Sequence, residues 1–151
     1  MGQQYRHTKI IKMRYIYLLK DPVSKEVVWI GETSKPKQRY DQHVWGCKKD
    51  SNAKKEWLNN LKAMGLKPWF EIVDTAENKR QAMVKENDII VTHLKRGANL
   101  FNQRNSATLK QYDREGNLIN EFANTIVARQ ITGIIPRTDR QTAGRFHWSY
   151  K

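Results

Sequence analysis

Cysteine is almost missing from this chain. With Cys47 alone, an intramolecular disulfide is excluded and a cysteine-based zinc site has no ligand set. Long apolar runs are missing too: no stretch approaches the roughly 20 apolar residues of a membrane span. No stretch near the N-terminus has the form of a signal peptide. The expected location is therefore the cytoplasm, with no membrane partner. Acidic residues are scarce, 15 Asp and Glu against 28 Lys and Arg, which leaves a formal net charge of +13. There is also no G-x-S-x-G elbow, no P-loop, no H-E-x-x-H pair and no G-x-G-x-x-G turn after a strand. Nucleophile machinery of those kinds is absent, and no small-molecule cofactor is expected.

What is present is a folded, basic domain. Up to Arg104 there are 21 basic and 11 acidic residues, and after it 7 and 4, so the excess is spread through the chain and is not a tail effect. A field of that sign attracts polyanions and makes nucleic-acid association salt-dependent. Anionic membrane surfaces are a rival partner, but the basic residues do not gather on one amphipathic helix with a bulky apolar face. Five Trp and six Tyr fit a folded domain better than a disordered basic arm. At 151 residues the chain holds one domain, or one small domain with an appendage.

Residues 1–13 carry Arg6, His7, Lys9 and Lys12 without periodicity and read as a flexible basic arm. Arg14 to Leu19 and Glu26 to Thr33 read as two strands of an antiparallel hairpin, turning at Asp21-Pro22. Pro36 opens a first helix reaching about Gly46, with Tyr40, Val44 and Cys47 as its core stripe. Asn52 caps a second helix, Ala53 to Met64, in which Trp57, Leu58, Leu61 and Met64 repeat at helical spacing and Gly65 ends the run. Pro68 to Asp74 is a third strand. Thr75 caps a long third helix to Arg96, with Ala82, Met83, Ile89, Ile90, His93 and Leu94 as its apolar stripe. The order β-β-α-α-β-α predicts an α+β domain, a small three-stranded antiparallel sheet packed with helices, over residues 14–104. Residues 105–151 form a smaller element: a hairpin from Leu109 to Phe122, a short helix from Asn124-Thr125 to Thr132, a loop over Pro136 to Thr142, and Phe146-His147-Trp148 as a closing strand.

Residues 29–43 concentrate the chemistry. An apolar run ends at Gly31, and Arg39 and His43 lie one turn apart on the helix that Pro36 starts. A guanidinium and an imidazole on one face, beside a glycine that permits close approach, suit a phosphate; a solvated helix face is the alternative. Glu86 lies within the apolar stripe of the third helix, where an ionised carboxylate is costly unless it is paired or bound to a metal. A salt bridge to Lys12, Lys25 or another base competes there with a Mg²⁺ ligand. Tyr15 and Tyr17 share one sheet face; Tyr15 and Trp29 suit aromatic packing, while Tyr17 either packs or carries its hydroxyl into a cleft beside Gly31. His43 and Cys47 have one-turn spacing but lack further ligands, and His93 reads as a core or boundary histidine.

Together these pieces resemble the GIY-YIG nucleases. Tyr15-Ile16-Tyr17, Trp29-Ile30-Gly31, Arg39, His43, Glu86 and Asn102 after Leu100-Phe101 fall in order at compatible spacing over residues 14–102. The resemblance implies an endonuclease that hydrolyses DNA phosphodiesters with one divalent metal, Mg²⁺ or Mn²⁺, on duplex DNA. It implies that Glu86 binds the metal and Arg39 holds the scissile phosphate. Tyr17 positions or deprotonates the attacking water, His43 serves as a base or base partner, and Asn102 supports the site. Gly31, Lys35 and Lys37 are expected near the DNA. Two positions depart from the pattern: Tyr15 replaces a glycine, and Trp29 replaces the tyrosine of the second triplet, whose hydroxyl is therefore lost. Glu32 also falls where some members carry a lysine. Residues 105–151 are similar to the small NUMOD-like DNA-binding modules of homing endonucleases, with Arg129, Arg137, Arg140 and Arg145 as phosphate contacts or as solvated arginines. A phage or mobile-element homing enzyme, working in the host cytoplasm or nucleoid, is the implied setting. A catalytically impaired DNA-binding protein on the same scaffold is the alternative that Trp29 raises.

Overall fold

The computed structural model of the chain describes residues 11–46, 48–103, 107–136 and 145–150. Cys47 and most of the N-terminal arm lie outside them. Three strands, β1 (Arg14–Lys20), β2 (Val27–Thr33) and β3 (Trp69–Ala76), form an antiparallel sheet in the order β2-β1-β3. The central strand β1 is the most apolar, and Ile16 through Leu19 are buried on both of its faces. Helices α1 (Pro36–Trp45) and α2 (Asn52–Ala63) follow the hairpin, and α3 (Lys79–Lys95) follows β3. This is the α+β arrangement that the order of elements predicts.

Strand alternation separates two chemistries. Ile16, Leu18 and Ile30 face α3, where they pack against Ala82, Ile90 and Leu94. Tyr17 and Trp29 face the other way, toward α1. The outer edge of β2 is covered by the segment after α3: Phe101 donates its N–H to the Val28 carbonyl at 2.8 Å, and Asn102 Nδ2 donates to the Ile30 carbonyl at 2.6 Å.

Some boundaries and core positions differ from the sequence expectation. The cap of α2 is Ser51, whose side chain accepts from the Lys54 N–H, and not Asn52. The cap of α3 is Asn78, accepting from the Gln81 N–H, and not Thr75; pairing with β1 carries β3 on to Ala76 and consumes the would-be first turn of the helix. On α1 the fully buried residue is His43, while Tyr40 stays half-buried with its hydroxyl donating to the Pro68 carbonyl. Met64 is 57% exposed, because the chain has left α2 by then; Leu58 and Leu61 form its apolar contact, together with a buried lysine, Lys54.

The C-terminal segment forms a second antiparallel sheet, β4 (Leu109–Tyr112), β5 (Leu118–Phe122) and β6 (His147–Ser149) in the order β5-β4-β6, with α4 (Thr125–Thr132) beside it. Leu109, Phe122, Ala128 and Trp148 are its core. It packs on α3 through a polar clasp. Asn87, a buried residue of α3, donates Nδ2 to the Glu121 carbonyl at 3.1 Å and accepts the Ala123 N–H through Oδ1 at 2.8 Å. Ala123 also enters the core of Leu18, Ile30, Ile90, Leu94 and Leu100. Replacing Asn87 with Ala strands a backbone donor and acceptor, each costing about 1–3 kcal/mol when left unpaired. Asn87→Ala should therefore lose about 2–4 kcal/mol in denaturant unfolding, and hydrogen exchange should report the opening first at the Ala123 amide.

Candidate active site

Tyr17 stands opposite Gly31 across the β1–β2 ladder, and this pairing builds the site. A Cβ on residue 31 would lie 2.5 Å from the Tyr17 hydroxyl oxygen and 2.7 Å from the ring carbon bearing it. Glycine is required because the tyrosine ring lies across the β2 backbone. The space beside the buried Gly31 is filled by the chain's own tyrosine. The opposite face of the Tyr17 ring stacks on Phe70 of β3, with centroids 4.4 Å apart.

Three of the residues anticipated from the sequence meet at the Tyr17 hydroxyl. His43 Nε2 lies 2.8 Å from it, and Arg39 Nε donates to it at 3.1 Å. Pro36 at the start of α1 and one-turn spacing bring both side chains to the sheet. Arg39 Nη1 also donates to Gln42, so the guanidinium is braced along its own helix. Burial raises the pKa of Tyr17, and the Arg39 hydrogen bond and charge oppose that rise. His43 is pushed down to about 3, first by burial and then by the positive charges of Lys54 and Arg39, so it is neutral at physiological pH.

Behind His43 lies a residue that the sequence reading passed over. Lys54 of α2 is 2% exposed, and its ammonium sits 3.0 Å from His43 Nδ1 and 2.9 Å from Asp50 Oδ1. The same nitrogen is 4.6 Å from the centroid of Trp29, which itself meets the His43 ring edge-on. The signal was available: Lys54 shares the apolar face of α2 with Leu58 and Leu61, the pattern that singled out Glu86 on α3. Trp29, Arg39, Gln42, His43, Asp50 and Lys54 line a cleft of about 450 Å³. Among the described residues the buried indole N–H of Trp29 has no partner in hydrogen-bonding geometry, although it lies close enough to Tyr17 to favour the ionised phenol.

Glu86 joins this group through its field and not by contact. It makes no hydrogen bond or ion pair among the described residues, so the alternative of a salt bridge to Lys12, Lys25 or another base is not realised there. Its pKa is raised to about 7, first by burial and then by the nearby Glu32 carboxylate, against the opposing charges of Lys79 and Arg39. Glu32 is itself committed: it holds the Arg14 guanidinium in a two-point pair, and Lys79 lies 3.8 Å away. No group of three or more His, Cys, Asp or Glu side chains converges among the described residues. A single half-buried carboxylate with free oxygens nevertheless fits Mg²⁺, which keeps several waters and takes phosphate oxygens as further ligands.

Asn102 is set back from the hydroxyl. Its Nδ2 holds the Ile30 carbonyl next to Gly31, and its buried Oδ1 has no partner in hydrogen-bonding geometry. Lys35 and Lys37 are exposed at the start of α1, Arg129 is exposed on α4 and Arg145 just before β6; Arg137 and Arg140 lie outside the described residues.

An acid whose folded pKa exceeds its unfolded value binds more protons in the native state, so stability falls as pH rises between the two values. For Glu86 that window runs from about 4.5 to about 7. In EDTA, Glu86→Gln should therefore melt higher than the native chain at pH 8 and should lose most of that advantage at pH 4, as thermal unfolding at the two pH values will report.

Searches of curated proteins and of solved structures gave no match. A model of the GIY-YIG catalytic domain matches residues 13–102, the stretch that contains the sheet, α1 to α3 and every contact to Tyr17 described above. No helix among the described residues is long and apolar enough to cross a membrane. With the larger part of its length matched, the chain belongs to the GIY-YIG family of nucleases.

Proposed function

We propose that the chain is a divalent-metal-dependent endonuclease of the homing type, acting on duplex DNA. The observation that carries the reading is the combination of Glu86, a half-buried carboxylate without a cation, and a tyrosine hydroxyl gripped by a guanidinium within its field. Glu86 would hold Mg²⁺ or Mn²⁺, which would supply charge neutralisation at the non-bridging phosphate oxygens when bound.

The remaining work falls to the chain's own side chains. Arg39 spends Nε on Tyr17 and Nη1 on Gln42, which leaves Nη2 for a phosphate oxygen. It therefore ties the scissile phosphate to Tyr17 with one rigid fork. Tyr17 positions the attacking water and takes its proton in the phenolate form, which the Arg39 charge stabilises against the opposing effect of burial. His43 is the partner of Tyr17, since both ring nitrogens are already engaged and its neutral form is strongly favoured. Asn102 fixes the β2 backbone behind Gly31.

Duplex DNA fits the net charge of +13. Lys35 and Lys37 flank the site at the start of α1. The NUMOD-like element of residues 105–151 extends the contact through Arg129 and Arg145, and through Arg137 and Arg140, which lie outside the described residues. Its packing on α3, the helix that carries Glu86, ties binding outside the catalytic domain to the position of the carboxylate.

The test is cleavage of supercoiled plasmid in Mg²⁺ or Mn²⁺ with EDTA controls. Nicking or linearisation by the native chain should be lost with Glu86→Gln while DNA binding in a mobility-shift assay is retained. Arg39→Ala should lower the cleavage rate by about 10²- to 10³-fold. Undiminished cleavage by Glu86→Gln sinks the mechanism, and a native chain that binds but never cuts leaves only the DNA-binding protein that Trp29 suggests.

A further inference from the structure

A buried lysine is costly to keep, and Lys54 has the surroundings that make it tolerable. An ammonium has three N–H bonds and no lone pair, so every polar neighbour must accept from it or face it. Lys54 has three such neighbours: the Asp50 carboxylate at 2.9 Å, His43 Nδ1 at 3.0 Å and the Trp29 ring with its centroid at 4.6 Å. Asp50 lies one turn before Lys54, so the ion pair is built locally and needs no distant element.

The contact to His43 has a chemical consequence. A nitrogen that accepts from an ammonium cannot carry a proton. Neutral imidazole holds one proton, so it must sit on Nε2, the atom 2.8 Å from the Tyr17 hydroxyl. His43 then donates to Tyr17. Arg39 donates to the same oxygen, so both of its accepting directions are filled and the Tyr17 proton points away from His43. Resting on the nuclease reading above, we propose that Lys54 is a positioning residue: it fixes the Nε2–H tautomer of His43, making the histidine a hydrogen-bond donor to Tyr17 and barring it from acting as the base that deprotonates it.

The arrangement also gives Trp29 a role. A tyrosine at that position would offer the ammonium a smaller π face, whereas indole presents the largest one and closes the third side of Lys54. Trp29, one of the positions that depart from the family pattern, is thus the one that holds the buried cation against His43. The depressed pKa of His43 agrees with this geometry, since an imidazolium beside Lys54 would place two positive charges in contact.

The test reads the tautomer directly and does not depend on nuclease activity. In two-bond ¹H–¹⁵N spectra of the ¹⁵N-histidine-labelled full chain at pH 7, with His43 assigned by the His43→Gln variant, Nε2 should be the protonated nitrogen and Nδ1 the unprotonated one. Protonation at Nδ1, or at both nitrogens, overturns the proposal in the native chain alone, whether or not any variant folds. Lys54→Met, verified as folded by circular dichroism, should show a growing Nδ1–H population and a cleavage kcat lowered roughly tenfold at unchanged KM. Lys54→Gln, which keeps an N–H donor, should restore part of both. A folded Lys54→Met that retains the Nε2–H tautomer overturns the role given to Lys54. A correct tautomer in a chain that cuts no DNA leaves the hydrogen-bond assignment standing and refutes the nuclease reading on its own.

Discussion

The Tyr17 side chain is fully buried, and a buried hydroxyl is tolerated only where its hydrogen bonds are made. It reaches its partners because Gly31 stands directly across the ladder and lets the ring lie over the β2 backbone. Phe70 closes the other side. Slipping β1 against β2 by one residue would turn Tyr17 toward the α3 core and carry Ile16 and Leu18 to the polar side, so the hydrophobic pattern and the site enforce the same register. Arg39 and His43 then need only a helix of one turn or more started at a defined point. Pro36 provides that start.

Much of this could be read from residue order. β1 and β2 are short runs of branched and aromatic residues between turn formers, and the chain folds them as such. Arg39 and His43 were legible because α-helical spacing fixes their common face whatever the tertiary context. Glu86 was legible because a carboxylate on an apolar stripe violates the pattern around it. The boundaries were harder. Thr75 and Asn78 are both good caps, and only pairing with β1 decides between them, a long-range fact that no local signal contains. The occupant of the space beside Gly31 was equally non-local: the glycine announces a close approach, but its cross-strand neighbour decides whether ligand or side chain makes it.

Lys54 marks a different kind of blindness. A lysine on a helix is read as solvent-facing because most are, and the surrounding Lys55 and Glu56 reinforce that expectation. Its burial depends on three acceptors drawn from three places: Asp50 before α2, His43 on α1 and Trp29 on β2. None of them is adjacent in sequence to the other two, so their convergence exists only in the fold. Trp29 read alone subtracts a hydroxyl from the site; read with Lys54 it supplies a surface for a cation.

The two ionisable groups on either side of Tyr17 are therefore in opposite states of completion. Lys54 is more deeply buried than Glu86, yet its charge is answered by a carboxylate, a ring nitrogen and an aromatic face within the chain. Glu86 has none of these: the nearest basic groups, Lys79 and Arg39, act on it only at a distance, and the neighbouring Glu32 makes its ionisation harder. Glu32, whose charge makes that ionisation harder, is itself paired with Arg14. Leaving a carboxylate costly at neutral pH makes sense where a cation from solution completes it, since the burial that opposes ionisation also strengthens its attraction for a divalent ion once one arrives. On this view the unpaired state of Glu86 and the paired state of Lys54 serve one end. In the proposed mechanism the internal cation would hold His43 and Tyr17 in a fixed hydrogen-bonded order, and the carboxylate would be kept for a metal ion.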